Sequence, residues 1–192
     1  MLTQPRKKQQ TVRIIAGSWR SRKVCFNDYN GVVRPTPDRV RETLFNWLST
    51  YIVGASCLDL YAGSGILGFE ALSRRAARVV AVEQRHEICK NILAAKEVLK
   101  AEVTLIQEKA EIWLDKAGQP FDIVFLDPPY CDNALPSCFQ LLSKNNWVKN
   151  GSLIYYEYNS VVGAEVLPIG WNVIKEKKAG QVHYYLAQVE TN

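Results

Sequence analysis

The sequence predicts an α/β fold with a mainly parallel seven-stranded sheet, a C-terminal antiparallel hairpin and a small N-terminal β extension. From Ser56 onward, strand-like and helix-like runs alternate, which is typical of βαβ units with helices on both faces of a parallel sheet. The last two strand-like runs are separated only by residues 178–181, which include Gly180 and predict a hairpin. Short β-branched runs on either side of Gly17 and Ser18 predict the N-terminal extension.

Seven strand-like runs define the predicted sheet, and they are Cys57–Tyr61, Val79–Glu83, Val103–Gln107, Asp122–Leu126, Ser152–Tyr158, Trp171–Lys177 and Val182–Val189. Helical spacing of apolar residues predicts the intervening helices, which are Ile66–Arg75, Arg85–Lys100, Lys109–Lys116 and Asn133–Lys144. A further helix should begin near Asp38. Thr36 suits the N-cap of that helix and Pro37 suits its first helical position.

The chain of 192 residues is long enough for one domain with a full core. We expect a disordered basic tail at residues 1–10, a hairpin extension at residues 11–34 and the main domain at residues 35–192. The longest apolar runs are strand-sized and none is long enough to cross a bilayer as a helix. Because the N-terminus also lacks an apolar secretion signal, we expect a cytoplasmic protein.

The cysteines give no sign of a metal site or a disulfide framework. Five are present, an odd number, and no two form a C-x-x-C pair. We therefore expect most of the cysteines to be small buried apolar residues in a reducing compartment, and we expect no bound metal.

The positive charge is concentrated near the N-terminus. The net charge is +5, yet residues 1–41 contain ten Lys or Arg against two acids. Such a segment predicts contact with a polyanion, although for Arg6, Lys7 and Lys8 a solvated tail is an equally good interpretation.

A glycine-rich turn follows the first strand of the main domain. Gly63, Gly65 and Gly68 match the spacing G-x-G-x-x-G, and Glu83 ends the next strand, where it can accept hydrogen bonds from ribose hydroxyls. The spacing alone fits NAD as well as S-adenosylmethionine. Asp59, just before the turn, favours S-adenosylmethionine, because a carboxylate suits an ammonium group and repels a pyrophosphate.

The tetrapeptide Asp127-Pro128-Pro129-Tyr130 follows the fourth strand, at the sheet edge where open α/β folds bind ligands. The lone pair of a base amine is delocalised into the ring, so an enzyme must orient that nitrogen toward the methyl donor. The Asp127 carboxylate and the Pro128 carbonyl can each accept one N–H, and Tyr130 can stack on an extruded base. The tetrapeptide therefore predicts methylation of an amine.

These motifs together resemble class I, Rossmann-like methyltransferases that act on amino groups. A narrower resemblance, to the RsmD family, covers almost the whole chain and is carried by residues 13–22, 34–47, 58–74 and 127–130. That family consists of bacterial enzymes that methylate the exocyclic N2 amine of one guanine in small-subunit ribosomal RNA. The resemblance implies S-adenosylmethionine as cofactor and ribosomal RNA, within a 30S assembly intermediate, as partner. We also expect a monomer.

The resemblance implies roles for particular residues of this chain. The catalytic residues would be Asp127, Pro128 and Tyr130. The cofactor would be held by Asp59, Tyr61, Ala62, Gly63, Ser64, Gly65, Glu83, Gln84, Ala110 and Asp127, and RNA by Arg13, Trp19, Arg20, Arg22, Lys23, Arg34 and Arg39. Lys109 and Ser21 depart from the family pattern, which more often has Asp or Asn and Gly there.

Several alternatives remain open from the residues themselves. Trp19 can stack on a base or pack the extension onto the domain, and Arg39, Arg41 and Glu42 can form structural ion pairs. An adenine-N6 methyltransferase would use the same tetrapeptide, but such DNA enzymes usually carry an added recognition domain. Protein glutamine methylation favours Asn at the position of Asp127. An NAD-dependent oxidoreductase lacks a visible acid–base pair, and a non-catalytic RNA-binding module would leave Asp59, Glu83 and Asp127 unexplained.

Overall fold

The computed structural model describes residues 7–29, 33–128, 134–158, 167–180 and 182–190. Within these ranges the helices are α1 Asp38–Trp47, α2 Ile66–Ser73, α3 His86–Leu99, α4 Ala110–Leu114 and α5 Leu135–Lys144. The strands are β1 Lys7–Arg13, β2 Lys23–Tyr29, β3 Ser56–Asp59, β4 Arg78–Val82, β5 Val103–Ile106, β6 Phe121–Leu126, β7 Val148–Tyr158, β8 Trp171–Ala179 and β9 Val182–Val189.

Seven of the strands form one sheet in the order β5-β4-β3-β6-β7-β9-β8. β9 pairs antiparallel with both β7 and β8, and the other pairs of the sheet are parallel, which confirms the predicted parallel sheet with its C-terminal hairpin. The chain runs from β3 outward to β5 and then returns to β6 on the other side of β3. Open α/β sheets bind ligands beside such a reversal point, at the carboxyl ends of the strands.

The helices cover both faces of this sheet, as the alternating pattern predicts. On one face the apolar side chains of α1, α2 and α3, including Leu44, Phe69 and Ile92, form one core. On the other face α4 and α5 contribute Leu114, Phe139 and Leu142 to a second core. The parallel strands are therefore buried between two helical layers.

The N-terminal extension is a hairpin of β1 and β2, which pair antiparallel from Lys7↔Tyr29 to Arg13↔Lys23. The predicted hairpin is present, but the interpretation of residues 1–10 as a disordered tail is wrong for residues 7–10, which belong to β1. Residues 1–6 lie outside the described ranges. The strand extends further back than its β-branched core because the backbone of β2 provides hydrogen-bond partners for it.

The start of α1 differs from the prediction. The helix begins at Asp38, and Pro37 rather than Thr36 occupies the N-cap, with no side-chain cap hydrogen bond. Thr36 is buried, and its carbonyl accepts a hydrogen bond from Arg41 Nε at 3.0 Å. The buried guanidinium of Arg41 thus fixes the chain before the helix. Most other predicted bounds differ by one or two residues, whereas β7 begins four residues earlier than expected, at Val148.

No helix in the described ranges has the length and apolar character that a membrane crossing requires.

Candidate active site

Four carboxyl groups lie together at the carboxyl ends of β3, β4, β6 and β7. Asp59 pairs in register with Ala81 on β4 and with Phe125 on β6, and Phe125 pairs with Tyr155 on β7. Two residues beyond this row come Glu83, Asp127 and Glu157. Because side chains alternate along a strand, these three groups share a face with Asp59. The sequence analysis identified Asp59, Glu83 and Asp127 but missed Glu157.

Asp59 lies under the glycine-rich turn, buried at the end of β3. Its Oδ2 accepts a hydrogen bond from the backbone N–H of Gly68 at 3.3 Å. Burial raises the pKa of the Asp59 carboxyl to about 7, the Gly68 hydrogen bond opposes this rise, and the nearby charge of Glu83 adds to it. Among the described residues, no positive charge compensates this carboxyl.

The glycine turn is tight and has little spare space. Gly63 and Gly65 have φ values of +51° and +74°, the left-handed region that favours glycine. A Cβ on Gly65 would lie 2.9 Å from the Phe69 ring, so a side chain there would also clash. Ala62 and Ser64, the other predicted members of the turn, are buried. The turn leads directly into α2, whose N-cap is Gly65.

Glu83 connects this turn to the next strand. Its carboxylate accepts hydrogen bonds from the backbone N–H groups of Gly63 at 3.2 Å and Arg85 at 2.8 Å. Burial raises the pKa of Glu83, and these hydrogen bonds act in the opposite direction. A carboxylate has about four lone-pair sites, so further hydroxyl donors can still bind. Gln84, beside it, is exposed.

Tyr61 and Ala110 are the other two predicted cofactor residues. The Tyr61 hydroxyl lies 2.9 Å from Glu111 Oε1 and 3.1 Å from Cys138 Sγ, so the side chain is engaged with α4 and α5 rather than with the glycine turn. The role of Tyr61 in cofactor binding stays a prediction, which its backbone beside the glycine turn would have to fulfil. Ala110 is buried and is the first residue of α4, where its backbone lies just after the end of β5.

Asp127 and Pro128 stand directly after β6, half-buried and buried respectively. Burial raises the pKa of Asp127 well above its usual range, and the neighbouring carboxyls of Glu157 and Asp59 raise it further. Neither Asp127 nor Asp59 forms an ion pair with a Lys, Arg or His of the described ranges. The predicted catalytic residue Tyr130 lies outside the described residues.

Glu157 ends the row on β7 and is buried, at 6% exposure. The Tyr155 hydroxyl donates a hydrogen bond to its Oε1 at 2.6 Å. Nowhere in the described chain do three His, Cys, Asp or Glu side chains converge as metal ligands would. The site is thus a group of carboxyls beside a glycine turn. Asp59 and Asp127 within it have no cationic partner among the described residues, so the site is suited to a ligand that carries positive charge.

The predicted RNA-binding residues fall into two groups. Arg20, Lys23, Arg34 and Arg39 are exposed, and within the described chain their side chains form no ion pair. Arg13 pairs with Asp38 at 2.7 Å, and Arg22 Nη2 donates to the Val98 carbonyl at 2.7 Å, although both side chains remain exposed.

Trp19 is half-buried and packs against the core beneath the extension, and Arg41 is fully buried. The structural interpretation of Arg41 is therefore confirmed. Its guanidinium contacts Asp38 at 2.6 Å and Glu70 at 3.2 Å.

Comparison with known proteins supports this arrangement. The sequence matches the family described as conserved hypothetical protein 95 over residues 12–188. The ribosomal RNA small subunit methyltransferase D of Escherichia coli K12 is 44% identical over 93% of this chain and 90% of its own length. The protein of the same name from Haemophilus influenzae is 43% identical over 92% of this chain and 93% of its own length.

The same relationship is visible in three dimensions. The solved structure of the Escherichia coli protein yhhF superposes with a TM-score of 0.87 at 41% sequence identity, and the match covers 95% of this chain and 100% of that chain. Similarity at this level extends over the N-terminal extension, the glycine turn and the sheet. The chain belongs to the RsmD family.

Proposed function

We propose that this protein transfers a methyl group from S-adenosylmethionine to the exocyclic N2 amine of a guanine in small-subunit ribosomal RNA. The observation that carries the proposal is the position of Asp127 and Pro128, which follow β6 at the reversal point of the sheet, beside the glycine turn. The names of the similar proteins support the RNA substrate, and the likeness spans more than nine tenths of the chain.

The chemistry of the pocket fits S-adenosylmethionine. Asp59 and Asp127 are carboxyl groups without a cationic partner in the described chain, and burying them costs free energy unless a ligand supplies positive charge. S-adenosylmethionine carries an ammonium and a sulfonium group, whereas the pyrophosphate of NAD would meet repulsion. We assign Asp59 to the ammonium group, Glu83 and Gln84 to the ribose, and the backbone of residues 62–65 and of Ala110 to the rest of the cofactor.

The reaction uses the residues after β6. When bound, the cofactor supplies an activated methyl group. The Asp127 carboxylate and the Pro128 carbonyl accept the two N–H groups of the target amine and thereby direct its lone pair toward that methyl group. Tyr130 stacks on the extruded base.

The N-terminal extension is assigned to RNA. Its exposed cations Arg20 and Lys23, with Arg34 and Arg39 near α1, are available to phosphates, and Arg13, Arg22 and Trp19 border them. Phosphate contacts position a protein on RNA without selecting sequence. We therefore assign selection of the guanine to the shape of the substrate, within a 30S assembly intermediate, and we expect a cytoplasmic monomer.

The deciding experiment is transfer of tritiated methyl groups to 30S particles, free ribosomal RNA and DNA in parallel, followed by nucleoside analysis. We expect label in N2-methylguanosine from particles or RNA. Label in N6-methyladenine would establish the alternative with the same tetrapeptide chemistry, and calorimetric binding of NADH in place of S-adenosylmethionine would refute the assignment altogether.

A second experiment tests the RNA surface. Arg20→Ala and Lys23→Ala should each weaken RNA binding and should lower the slope of log affinity against log salt by about 1. Lys175→Ala, which removes an exposed cation from β8, is the matched control and should leave the slope unchanged. Equal slopes in all variants would place the RNA elsewhere.

A further inference from the structure

Glu157 and Asp127 occupy equivalent positions on neighbouring strands. Leu126 on β6 pairs with Tyr156 on β7, and each of these carboxyl residues follows directly after its member of that pair. Adjacent strands are about 4.8 Å apart, so the two side chains on the same face are neighbours. Glu157 is buried at 6% exposure, and its charge acts on Asp127 more strongly than that of Asp59 does.

A buried tyrosine holds Glu157 in this position. The Tyr155 side chain is fully buried, and its hydroxyl donates to Glu157 Oε1 at 2.6 Å. Burial and the surrounding charges of Glu157 and Asp127 raise the pKa of Tyr155, with Tyr184 adding to the effect. The hydroxyl therefore stays protonated and remains a donor at any pH at which the protein works.

This donor makes the two carboxyls unequal. A hydroxyl that donates to a carboxylate stabilises its charged form, and two adjacent buried carboxyls cannot both ionise without a large cost. Asp127 accepts no hydrogen bond from the described chain. Asp127 is consequently the member of the pair that takes up a proton first as the pH falls, and Glu157 keeps its charge. Only the ionised form of Asp127, which prevails above its raised pKa, accepts the N–H of the amine.

We propose that Glu157 is a positioning residue for methyl transfer, which acts through Asp127 by making Asp127 the stronger base of the pair. This inference rests on the proposed function. In the transfer step, the amine nitrogen forms a bond to the methyl carbon and the carbon–sulfur bond breaks, its electron pair going to sulfur. The nitrogen then loses a proton, which Asp127 accepts and passes to solvent, while the charge of Glu157 favours that acceptance.

The first test needs no substrate. Carboxyl ¹³C NMR of the ligand-free protein follows the titration of Asp127, assigned with Asp127→Asn, in the wild type and in Glu157→Gln. We expect Asp127 to titrate well above the usual range of an aspartate in the wild type and at least one pH unit lower in Glu157→Gln. Glu176→Gln, the same substitution at an exposed position of β8, should leave the titration unchanged.

Tyr155→Phe supplies a second, independent variant. This variant keeps the Glu157 carboxyl but removes the hydrogen bond that stabilises its ionised form. The two carboxyls should then compete for the proton on more equal terms. The titration shift of Asp127 should then shrink and a matching shift should appear at Glu157. A Tyr155→Phe spectrum identical to that of the wild type would contradict the assignment of the proton to Asp127.

The kinetic counterpart is the pH dependence of methyl transfer. In Glu157→Gln the acid limb of the pH profile of kcat should move to lower pH by the same amount as the NMR titration of Asp127. The plateau value of kcat should fall, because Asp127 is then a weaker base. A merely structural residue would lower the plateau without moving the limb.

The outcomes separate two failures. If Asp127 titrates in the usual range in the wild type, the inference is overturned even if Glu157→Gln does not fold. If the titrations behave as expected and no methylation of any nucleic acid is found, the pairing stands as a property of the protein and the proposed function is what fails.

Discussion

Two clusters of buried carboxyl groups lie on the same side of the sheet, and their partners differ completely. Glu70, on α2, is fully buried and accepts hydrogen bonds from Arg41 at 3.2 Å and Arg74 at 3.0 Å, together with the backbone N–H groups of Ile15 at 2.8 Å and Ala16 at 3.0 Å. Asp127, after β6, has carboxyl groups as its charged neighbours.

The Glu70 cluster joins three parts of the chain. Arg41 comes from α1, Arg74 from the end of α2, and the two backbone donors from the N-terminal extension. Burial lowers the pKa of Arg41, and the charges of Glu70 and Asp38 act in the opposite direction. A buried charge that is paired and fully hydrogen-bonded in this way is tolerated by the fold and holds it together.

Within the described chain, Asp59 and Asp127 lack such compensation, and this difference suggests how to distinguish the two roles. A buried carboxylate whose partners all belong to the protein has a structural role, because it links the segments that supply those partners. One whose partners are missing from the protein leaves an energetic cost that a ligand can relieve. Carboxyls with raised pKa values at the end of a strand therefore indicate the ligand site, whereas burial of a carboxyl alone does not.

The largest effect should follow Asp127→Ala. We expect methyl transfer to fall by about 1,000-fold or more, because the amine loses its principal acceptor, while cofactor affinity changes little. Single-turnover transfer and calorimetry measure the two quantities. Asp122→Ala is the control at the other end of β6, where the carboxylate pairs with Lys149 at 2.6 Å. Asp122→Ala should lose stability and keep its activity. If it lost activity and kept its stability, the contrast between paired and unpaired carboxyls would be wrong.

Glu70→Gln should chiefly change stability. Removing one partner of a buried ion pair leaves Arg41 incompletely compensated, and such changes cost about 3 kcal/mol in the free energy of unfolding. Urea denaturation measures this loss, with Glu97→Gln on the exposed side of α3 as the matched control. If Glu70→Gln were as stable as the wild type, the Glu70 cluster would not have the structural role described above.

Gly17→Ala tests the contact between the N-terminal extension and α2 from the side of the extension. A Cβ on Gly17 would lie 1.9 Å from the Ser73 carbonyl oxygen, and the residue has a φ of +84°. Gly54 has a similar φ of +76° but open space around it, so Gly54→Ala reports the backbone strain alone. We expect a loss of about 2 kcal/mol for Gly17→Ala and about 1 kcal/mol for Gly54→Ala in urea denaturation. Equal losses would mean that the contact with Ser73 adds nothing.

The smallest effect concerns pH. The pKa of Asp59 is raised from 3.8 to about 7, so the protonated carboxyl contributes stability that is complete below pH 3.8 and is lost as the pH rises through 7. A cationic cofactor binds the ionised form, so its affinity should change in the opposite sense and increase about tenfold from pH 6 to pH 8. Calorimetry and denaturation across this range test both trends. Asp59→Asn should flatten them, and trends that persist in that variant would assign them to another group.

The sequence was sufficient for the fold and for most of the strand-end carboxyls. Alternating runs identified every strand of the sheet, because a strand buried between two helical layers is apolar along its length. Asp59, Glu83 and Asp127 were identifiable because each stands beside a local motif. The extra residues of β1 were not, since Lys7 to Gln10 are polar and pair only because β2 lies beside them.

Glu157 and Glu70 show what local patterns miss. Glu157 sits in a run of tyrosines and looks like an ordinary polar strand residue, and its importance depends on a partner strand thirty residues earlier in the chain. An acidic residue at the end of a predicted strand, like the other three, was the available signal. Glu70 gives no such signal, because its partners come from three separate segments that only the folded chain brings together.

Helix α2 has a consequence for the exchange of parts between related proteins. Its first turn continues from Gly65, while Glu70 and Ser73 on the same short helix bind the extension, Ser73 Oγ donating to the Ala16 carbonyl at 2.6 Å. The extension is therefore not a detachable module that could be swapped by cutting the chain before α1. A functional chimaera needs to take the extension, α1 and α2 from the same parent protein. Substitutions in these three segments should therefore be coupled between related proteins.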